Sequence, residues 1–167
     1  MITQEQADLL LTLPKRIEGG DDLTIDLKVE RNRLDLYSPD DDGWKFVFSI
    51  FSNRRITFKI SMHHHEDNLR EGLLRVDFKG GHRNPEFVND YVPDFLKPYA
   101  GVWVQDESHI HLFVESYKDL AWAIPLKDFD EFPIKEVNSY SDFSQAIRAF
   151  AKRINLISRF AIQEPIL

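Results

Sequence analysis

The sequence predicts an α+β fold, in which a curved antiparallel sheet of about seven strands carries an N-terminal helix and a C-terminal helix packed on it. Helical spacing of apolar residues is confined to the two ends of the chain, whereas apolar and polar residues alternate through its middle. Because the predicted strands follow one another without intervening helices, we expect them to pair antiparallel. At 167 residues with 43% hydrophobic content, the chain is expected to form a single domain over residues 1–167.

The first helix is predicted over residues 3–13. Thr3 and Gln6 have the spacing of a capping box, in which each side chain bonds the backbone N–H of the other residue. Ala7 and Leu10 recur at helical spacing, and Pro14 ends the pattern.

Four strands are predicted between residues 23 and 61, where the apolar period falls to two. They are centred on Leu23, Ile25, Leu27 and Val29; on Leu34 and Leu36; on Phe46, Phe48 and Ile50; and on Ile56, Phe58 and Ile60. The turn-forming residues 30–32, 39–43 and 52–53 separate these strands. The polar stretch 63–71 predicts a break after them.

Three more strands and a second helix complete the predicted fold. The strands cover residues 72–79, 109–115 and 120–125. Gly80 and Gly81 predict a turn that ends the first of these three strands. Ser139 or Ser141 can cap the second helix, whose apolar residues Phe143, Ile147, Phe150, Ala151 and Ile154 recur at helical spacing.

Residues 83–107 form an aromatic and acidic insertion in this pattern. The segment is long for a connection, and such segments are usually binding surfaces or lids, or contain short elements of their own. Its aromatic side chains, Tyr91, Phe95, Tyr99 and Trp103, are expected to pin it to the body of the protein.

Composition excludes several classes of protein. Without cysteine there is no disulfide, no thiolate zinc site and no cysteine nucleophile. The formal net charge of −7 argues against a protein that coats nucleic acid through a broadly basic surface. The N-terminus lacks the features of a signal peptide, and no apolar run approaches the roughly 20 residues of a membrane helix. We therefore expect a soluble cytoplasmic protein with no membrane association.

Three histidines are the main candidates for a functional site. His109 and His111 alternate with Ile110 and Leu112 in a predicted strand, so both imidazoles should share the exposed face. His82 follows the predicted glycine turn, which places the three rings at one end of the sheet.

Two chemistries suit three imidazoles. The first is zinc binding, because three imidazoles can supply the three nitrogen ligands of a catalytic zinc ion that has water in its fourth position. Against this chemistry, the chain has no HExxH motif, and H-x-H is common by chance. The consecutive residues 63–65, all histidine, are expected to be a solvated strand end. We therefore predict neither a metal nor another cofactor.

Metal-free cleavage of RNA is the other chemistry, and it needs a base, an acid and a cation beside the phosphate. Histidine suits both proton roles because its ordinary pKa lies near neutrality. The predicted catalytic residues are His82, His109, His111 and Tyr117, and the predicted substrate-binding residues are Arg75, Lys79, Arg83 and Asn84. The alternative interpretation is that these histidines are ordinary half-exposed strand residues.

The R-x-D strand at Arg75, the H-R-N-P turn at His82 and the H-x-H strand at His109 resemble those of an uncharacterised family of small bacterial and prophage proteins. The pattern is also remotely similar to small ribonuclease toxins of toxin-antitoxin systems. This resemblance implies an endoribonuclease with an RNA substrate and an antitoxin partner, in which His82, His109 and His111 are the functional histidines.

The chain departs from that resemblance in the length of the segment between the H-R-N-P turn and the H-x-H strand, which is usually shorter. This insertion supports a second hypothesis, a non-enzymatic phage-encoded inhibitor of a host defence system, of the anti-CRISPR type. Its carboxylates, at Asp90, Asp94, Asp106 and Glu107, would replace nucleic-acid phosphates on a defence effector.

Overall fold

A computed structural model describes residues 1–166 and confirms the α+β class. Helices flank a sheet-forming middle, as predicted. The elements in chain order are α1 Gln4–Thr12, β1 Arg16–Ile17, β2 Thr24–Asp26, β3 Arg31–Tyr37, β4 Lys45–Ser52, β5 Ile60–Glu66, β6 Gly72–Arg83, β7 Trp103–Leu112, β8 Trp122–Pro125, α2 Tyr140–Arg153 and β9 Ala161–Gln163. Short 3-10 turns cover Lys97–Tyr99 and Leu126–Asp128.

Seven strands form one antiparallel sheet in the order β1-β3-β4-β5-β6-β7-β8. The sheet does not close, so β1 and β8 are its edges. The remaining strands, β2 and β9, pair in parallel as a separate two-stranded sheet. Within residues 1–166, neither helix has the length and apolar character needed to cross a bilayer.

Both helices begin as predicted. Thr3 and Gln6 form the capping box of α1, and Ser139 rather than Ser141 caps α2 by accepting a hydrogen bond from the backbone N–H of Asp142. The apolar side of α2 packs on the sheet, where Phe150 stacks on Phe48 with ring centroids 4.9 Å apart. This packing leaves the opposite face of the sheet available for polar residues.

A buried lysine joins the C-terminal ends of the two helices. The Lys15 ammonium donates hydrogen bonds to the carbonyl oxygens of Leu11, Leu13 and Ile154, at 3.1, 2.8 and 2.8 Å, and lies 4.9 Å from the centroid of the Phe46 ring. These carbonyls are unpaired by the helices themselves, so one cation satisfies groups at both helix ends. Burial lowers the pKa of Lys15 to about 7.

Two strands that were predicted for the main sheet do not lie in it as expected. The predicted strand at 23–29 contributes only β2, which lies outside the main sheet, and β1 supplies the edge strand instead. The predicted strand at 56–60 is largely a hairpin loop. The side chain of Asn53 accepts hydrogen bonds from the backbone N–H groups of Arg55 and Ile56. This local turn follows the end of β4 and keeps residues 56–59 out of the sheet.

The predicted break at 63–71 is also wrong, because β5 continues to Glu66. His64 lies on the apolar side, where its Nδ1 lies 3.0 Å from the carbonyl oxygen of Val47 and its ring stacks on Phe46. The buried carboxylate of Glu66 accepts bonds from backbone N–H groups of the following turn, at residues 68, 69 and 71. Hydrogen bonds to backbone groups of the neighbouring strand and of the following turn therefore allow polar residues to occupy core positions.

The predicted turn at Gly80 and Gly81 is also wrong. Strand β6 runs through Gly80 and Gly81 as far as Arg83, with irregular register on either side of Gly80. Lys79 has a φ of 59°, so the chain takes up the extra residues in a bulge instead of reversing.

The insertion is shorter than predicted because β7 already begins at Trp103. Residues 84–102 form the connection between β6 and β7. The apolar side chains of Val92 and Leu96 are buried and fasten it to the core, whereas Tyr91 and Phe95 are about half exposed. Tyr99 also packs, partly buried, against the core, and Phe95 stacks on Phe129 with ring centroids 6.2 Å apart, so aromatic and aliphatic side chains share the predicted role.

Candidate functional site

The pairing of three central strands assembles a polar cluster on the face of the sheet opposite the helices. Arg75 on β6 pairs with His111 on β7, and Asp77 pairs with His109. On the other side of β6, Asp77 pairs with Ser61 of β5. Since residues opposite one another in a ladder share a face, this register brings the carboxylate of Asp77 between both histidines and the serine.

Asp77 is the centre of this cluster. Its Oδ2 lies 2.9 Å from Nη2 of Arg75, 3.2 Å from Nε2 of His111 and 3.4 Å from Nε2 of His109, and Nε of Arg75 donates to Oδ1 at 3.0 Å. Asp77, His109 and His111 are buried, with exposures of 6%, 0% and 3%. Asp77 is not among the predicted site residues, although the combination of R-x-D and H-x-H on neighbouring strands is a signal for it.

The surroundings of Asp77 favour its ionised form. Burial by itself raises the pKa of this carboxyl, but the hydrogen bonds that His109 and His111 donate to it when Nε2 is protonated, together with the charge of Arg75, outweigh burial. The pKa of Asp77 therefore lies well below its ordinary value, and a buried negative charge is present at neutral pH.

Backbone carbonyls determine which nitrogen of each buried ring faces Asp77. Nδ1 of His109 lies 2.6 Å from the carbonyl oxygen of Glu107, and Nδ1 of His111 lies 2.8 Å from that of Leu120. Since a carbonyl only accepts, both Nδ1 atoms carry protons and donate. In a neutral imidazole the other nitrogen, Nε2, then presents a lone pair, here toward the carboxylate.

His82 joins this cluster from the bulged end of β6. Its ring centroid lies 4.6 Å from that of His111 and 6.3 Å from that of His109, so the three predicted rings do gather in one place. Nε2 of His82 donates to the carbonyl oxygen of Ala121 at 2.6 Å, which leaves Nδ1 unprotonated in the neutral ring. Burial, followed by the nearby rings of His111 and His109, lowers the pKa of His82 and favours that neutral ring.

The expectation that His109 and His111 are exposed is wrong. The loop after β7 reaches over His111 through Leu120, and the bulged strand β6 places Gly80 against His109. A Cβ at Gly80 would lie 3.2 Å from Cε1 of His109, so the absence of a side chain permits this close approach. Of the three rings, only that of His82 is partly exposed.

Two further histidines lie on β5, beside the cluster and outside the group formed by Asp77, His109 and His111. The rings of His63 and His65 lie 5.3 Å apart, and His63 pairs with Arg75 across the sheet. Burial lowers the pKa of His63 to about 4, and the charges of His65 and Arg75 act in the same direction. The expectation that residues 63–65 form a solvated strand end is wrong, because His63 and His65 are half-buried and the residue between them is buried.

An open pocket of about 270 Å³ lies beside Asp77. It is lined by the cations Lys59, Arg75 and Lys79 and by the backbone of Gly80, with Asp77 as its carboxylate. The positive balance suits an anionic group such as a phosphate. A larger pocket of about 370 Å³, between α1 and residues 91–95, has a mainly apolar lining without histidine.

Three predicted site residues hold the connection 84–102 in place. Asn84 is buried, where its amide donates to the carbonyl oxygen of Ala123 at 2.7 Å and accepts from the N–H of the same residue at 2.8 Å. Arg83 pairs with Glu86, and the Tyr117 hydroxyl donates to the carbonyl oxygen of Phe87. These hydrogen bonds occupy the side-chain groups that are predicted to bind substrate, in Asn84 and Arg83, and to act in catalysis, in Tyr117. The three residues are therefore not part of the candidate site.

Comparison with known proteins gives the family of the chain. It belongs to a family of unknown function, DUF6978, whose profile matches residues 2–156. The expectation of an uncharacterised family is thus confirmed at that level. The comparisons with curated proteins and with solved structures give no match.

Proposed function

We propose that this member of the DUF6978 family is an endoribonuclease that binds an RNA phosphate in the basic pocket beside Asp77 and uses His82 for proton transfer. One observation carries the proposal: His82, a partly exposed imidazole that is neutral with an unprotonated Nδ1, is the next residue in the chain after Gly80 and Gly81, which line a pocket with three cations. A neutral imidazole is the form that can act as a general base at pH 7.

The proposed reaction uses these groups as follows. Nδ1 of His82 takes the proton of the RNA 2′-hydroxyl, and the 2′-oxygen attacks the neighbouring phosphorus. Arg75 and Lys79 stabilise the negative charge that develops on the phosphate oxygens. The imidazolium of His82 then gives its proton to the departing 5′-oxygen, which leaves a 2′,3′-cyclic phosphate and a 5′-hydroxyl end. His109 and His111, being buried, act by positioning Asp77 and Arg75.

The R-x-D, H-R-N-P and H-x-H segments support a toxin of a toxin-antitoxin system as the biological setting of this activity. Such a protein acts in the cytoplasm, where its RNA substrate and its antitoxin are found. The antitoxin would cover the basic pocket and neutralise Lys59 and Lys79.

We expect the substitution His82→Ala to lower the rate of RNA cleavage by about 10²- to 10⁴-fold, because it removes the group that transfers the proton. The measurement is cleavage of end-labelled RNA by the protein as purified and again with added Zn²⁺, with analysis of the product ends. Lys152→Ala, at an exposed position of α2, is the control and should cleave like the wild type. Equal rates for the wild type and His82→Ala would contradict the proposal.

A second candidate function is inhibition of a nucleic-acid-binding defence effector, and the surface of the connection favours it. Within the connection, Phe87 is 75% exposed and Tyr91 and Phe95 are about half exposed, and Trp103 at the start of β7 is 60% exposed. Exposed aromatic side chains are enriched at interaction surfaces. The carboxylates at 86, 90 and 94 lie within the same connection and add negative charge to it.

Charge reversal tests this second function. We expect Asp90→Lys combined with Asp94→Lys to abolish protection of phage plating on a host with CRISPR defence, because lysines would repel a basic nucleic-acid channel. The matched control is the pair Asp40→Lys and Asp41→Lys, which reverses two neighbouring charges outside the connection. Undiminished protection by the first variant would exclude mimicry through this surface.

A further inference from the structure

We propose that Asp77, His109 and His111 bind a Zn²⁺ ion, with Oδ2 of the aspartate and Nε2 of each histidine as the three protein ligands. From the sequence alone, the possible zinc ligands are three imidazoles, one of which is that of His82. The structure instead places a carboxylate in the third position, and Nε2 of His82 is taken by the carbonyl oxygen of Ala121.

The two separations between the carboxylate oxygen and the imidazole nitrogens fit a tetrahedral ion. Oδ2 of Asp77 lies 3.2 Å from Nε2 of His111 and 3.4 Å from Nε2 of His109, and one ligand atom from each residue lies within 4.8 Å of the others. Bonds of about 2.1 Å to zinc place neighbouring tetrahedral ligands about 3.4 Å apart. Octahedral ligands at the same bond length lie only about 3.0 Å apart, which makes a six-coordinate ion a poorer fit.

The groups behind the ligands are those that metal-binding residues commonly have. Each histidine donates its Nδ1 proton to a backbone carbonyl, that of Glu107 or that of Leu120. Asp77 receives two hydrogen bonds from Arg75, at 2.9 and 3.0 Å. Such outer contacts select the imidazole tautomer and hold the carboxylate, so the three lone pairs converge before any ion is bound.

An unpartnered buried nitrogen points to a ligand at this position. Nε2 of His109 is fully buried and has no hydrogen-bond partner among residues 1–166. A proton on each Nε2 would satisfy His109 and His111, but it would bury two imidazolium rings 4.9 Å apart beside the charge of Arg75. One ion satisfies both nitrogens and the carboxylate at once.

The type of ligand identifies the class of metal. Two imidazole nitrogens and one carboxylate oxygen, without sulfur, are the protein ligands of many catalytic zinc ions, which keep a fourth position open. Asp77 and Gly80 border the 270 Å³ pocket, so this pocket offers a route for the ion and space for a small anion. The inference concerns the same site as the proposed ribonuclease but does not require RNA to be the substrate.

The experiment is a titration of chelator-treated, dialysed protein with ZnCl₂ against a chromophoric competitor. We expect one zinc per chain, and at least about 100-fold weaker binding by Asp77→Asn and by the pair His109→Gln and His111→Gln. The pair His63→Gln and His65→Gln is the matched control, because it removes two histidines at the same i, i+2 spacing from the neighbouring strand. This control should bind zinc like the wild type.

A second measurement uses the unaltered protein, in case the variants at the buried positions fail to fold. Co²⁺ added to the wild type should give the intense visible absorption of a four-coordinate site, and Zn²⁺ should abolish it. Absence of stoichiometric binding by the wild type, or loss of binding only in the control pair, would overturn the proposal. Zinc binding without RNA cleavage would sustain the metal site and refute only the ribonuclease.

Discussion

Replacement of Asp77 by alanine is expected to lower the free energy of unfolding by about 1.5–3 kcal/mol, the usual contribution of hydrogen bonding to a buried charged group, because the Arg75 side chain that remains is 43% exposed. Oδ2 of Asp77 faces three side chains, Arg75, His109 and His111, within 3.4 Å. Without the carboxylate, the guanidinium of Arg75 loses its ion-pair partner, and both imidazoles lose the group that lies between them. In a chain of this size, that loss corresponds to a decrease in Tm of roughly 3–12 °C.

The chain supplies a matched control for this substitution. Arg33 and Asp35 on β3 repeat the same R-x-D spacing and form an ion pair at 3.1 Å, but the Asp35 side chain is 54% exposed compared with 9% for Asp77. We expect Asp35→Ala to cost less than about 1 kcal/mol. Urea unfolding followed by tryptophan fluorescence, in the presence of a chelator, measures both variants without a contribution from bound metal. Equal losses would show that Asp77 does not hold the cluster together.

The second large effect expected is a loss of stability between pH 6.5 and about pH 4. The pKa of His63 falls from an ordinary value of 6.5 to about 4, first through burial and then through His65 and Arg75. Between these two values the unfolded chain binds the proton and the folded chain does not, so acid favours unfolding. The stabilisation is fully present above pH 6.5, and its loss as the pH falls to about 4 amounts to about 3 kcal/mol for this one residue.

Urea unfolding at a series of pH values from 7 to 4 measures this dependence. The substitution His63→Gln should flatten the curve in that window, because glutamine does not titrate. Part of the slope should persist, since burial and the charge of Lys15 hold the pKa of His64 well below its ordinary value. A variant whose curve parallels that of the wild type would show that His63 does not resist protonation in the folded protein.

Local patterns predicted the helices and much of the sheet correctly. Thr3 with Gln6 and Ser139 with Asp142 cap helices through contacts three residues apart, which a sequence shows directly. Strands β3 and β4 follow from alternation of apolar residues. The wrong strand boundaries occur where polar side chains find hydrogen-bond partners inside the fold. His64 bonds the carbonyl oxygen of Val47 on the neighbouring strand β4, a contact that periodicity does not show.

The histidines of the candidate site were predictable only in part, because periodicity describes one strand at a time. Alternation along β7 indicated that His109 and His111 share a face, because that property belongs to a single strand. It could not indicate that Asp77 lies opposite His109 or that Gly80 covers its ring. These relations depend on the register between β6 and β7 and on the bulge at residues 77–80.

The amino-acid sequence by itself thus determined the α+β class, the two helices and the three histidines as candidates. Tertiary structure decided that the rings are buried, that a carboxylate lies between two of them and that a basic pocket opens beside it. The physical reason is that side-chain alternation and capping are short-range properties of the backbone. Register, bulges and burial, in contrast, result from pairing between residues that lie about 30 positions apart in the chain, such as Asp77 and His109.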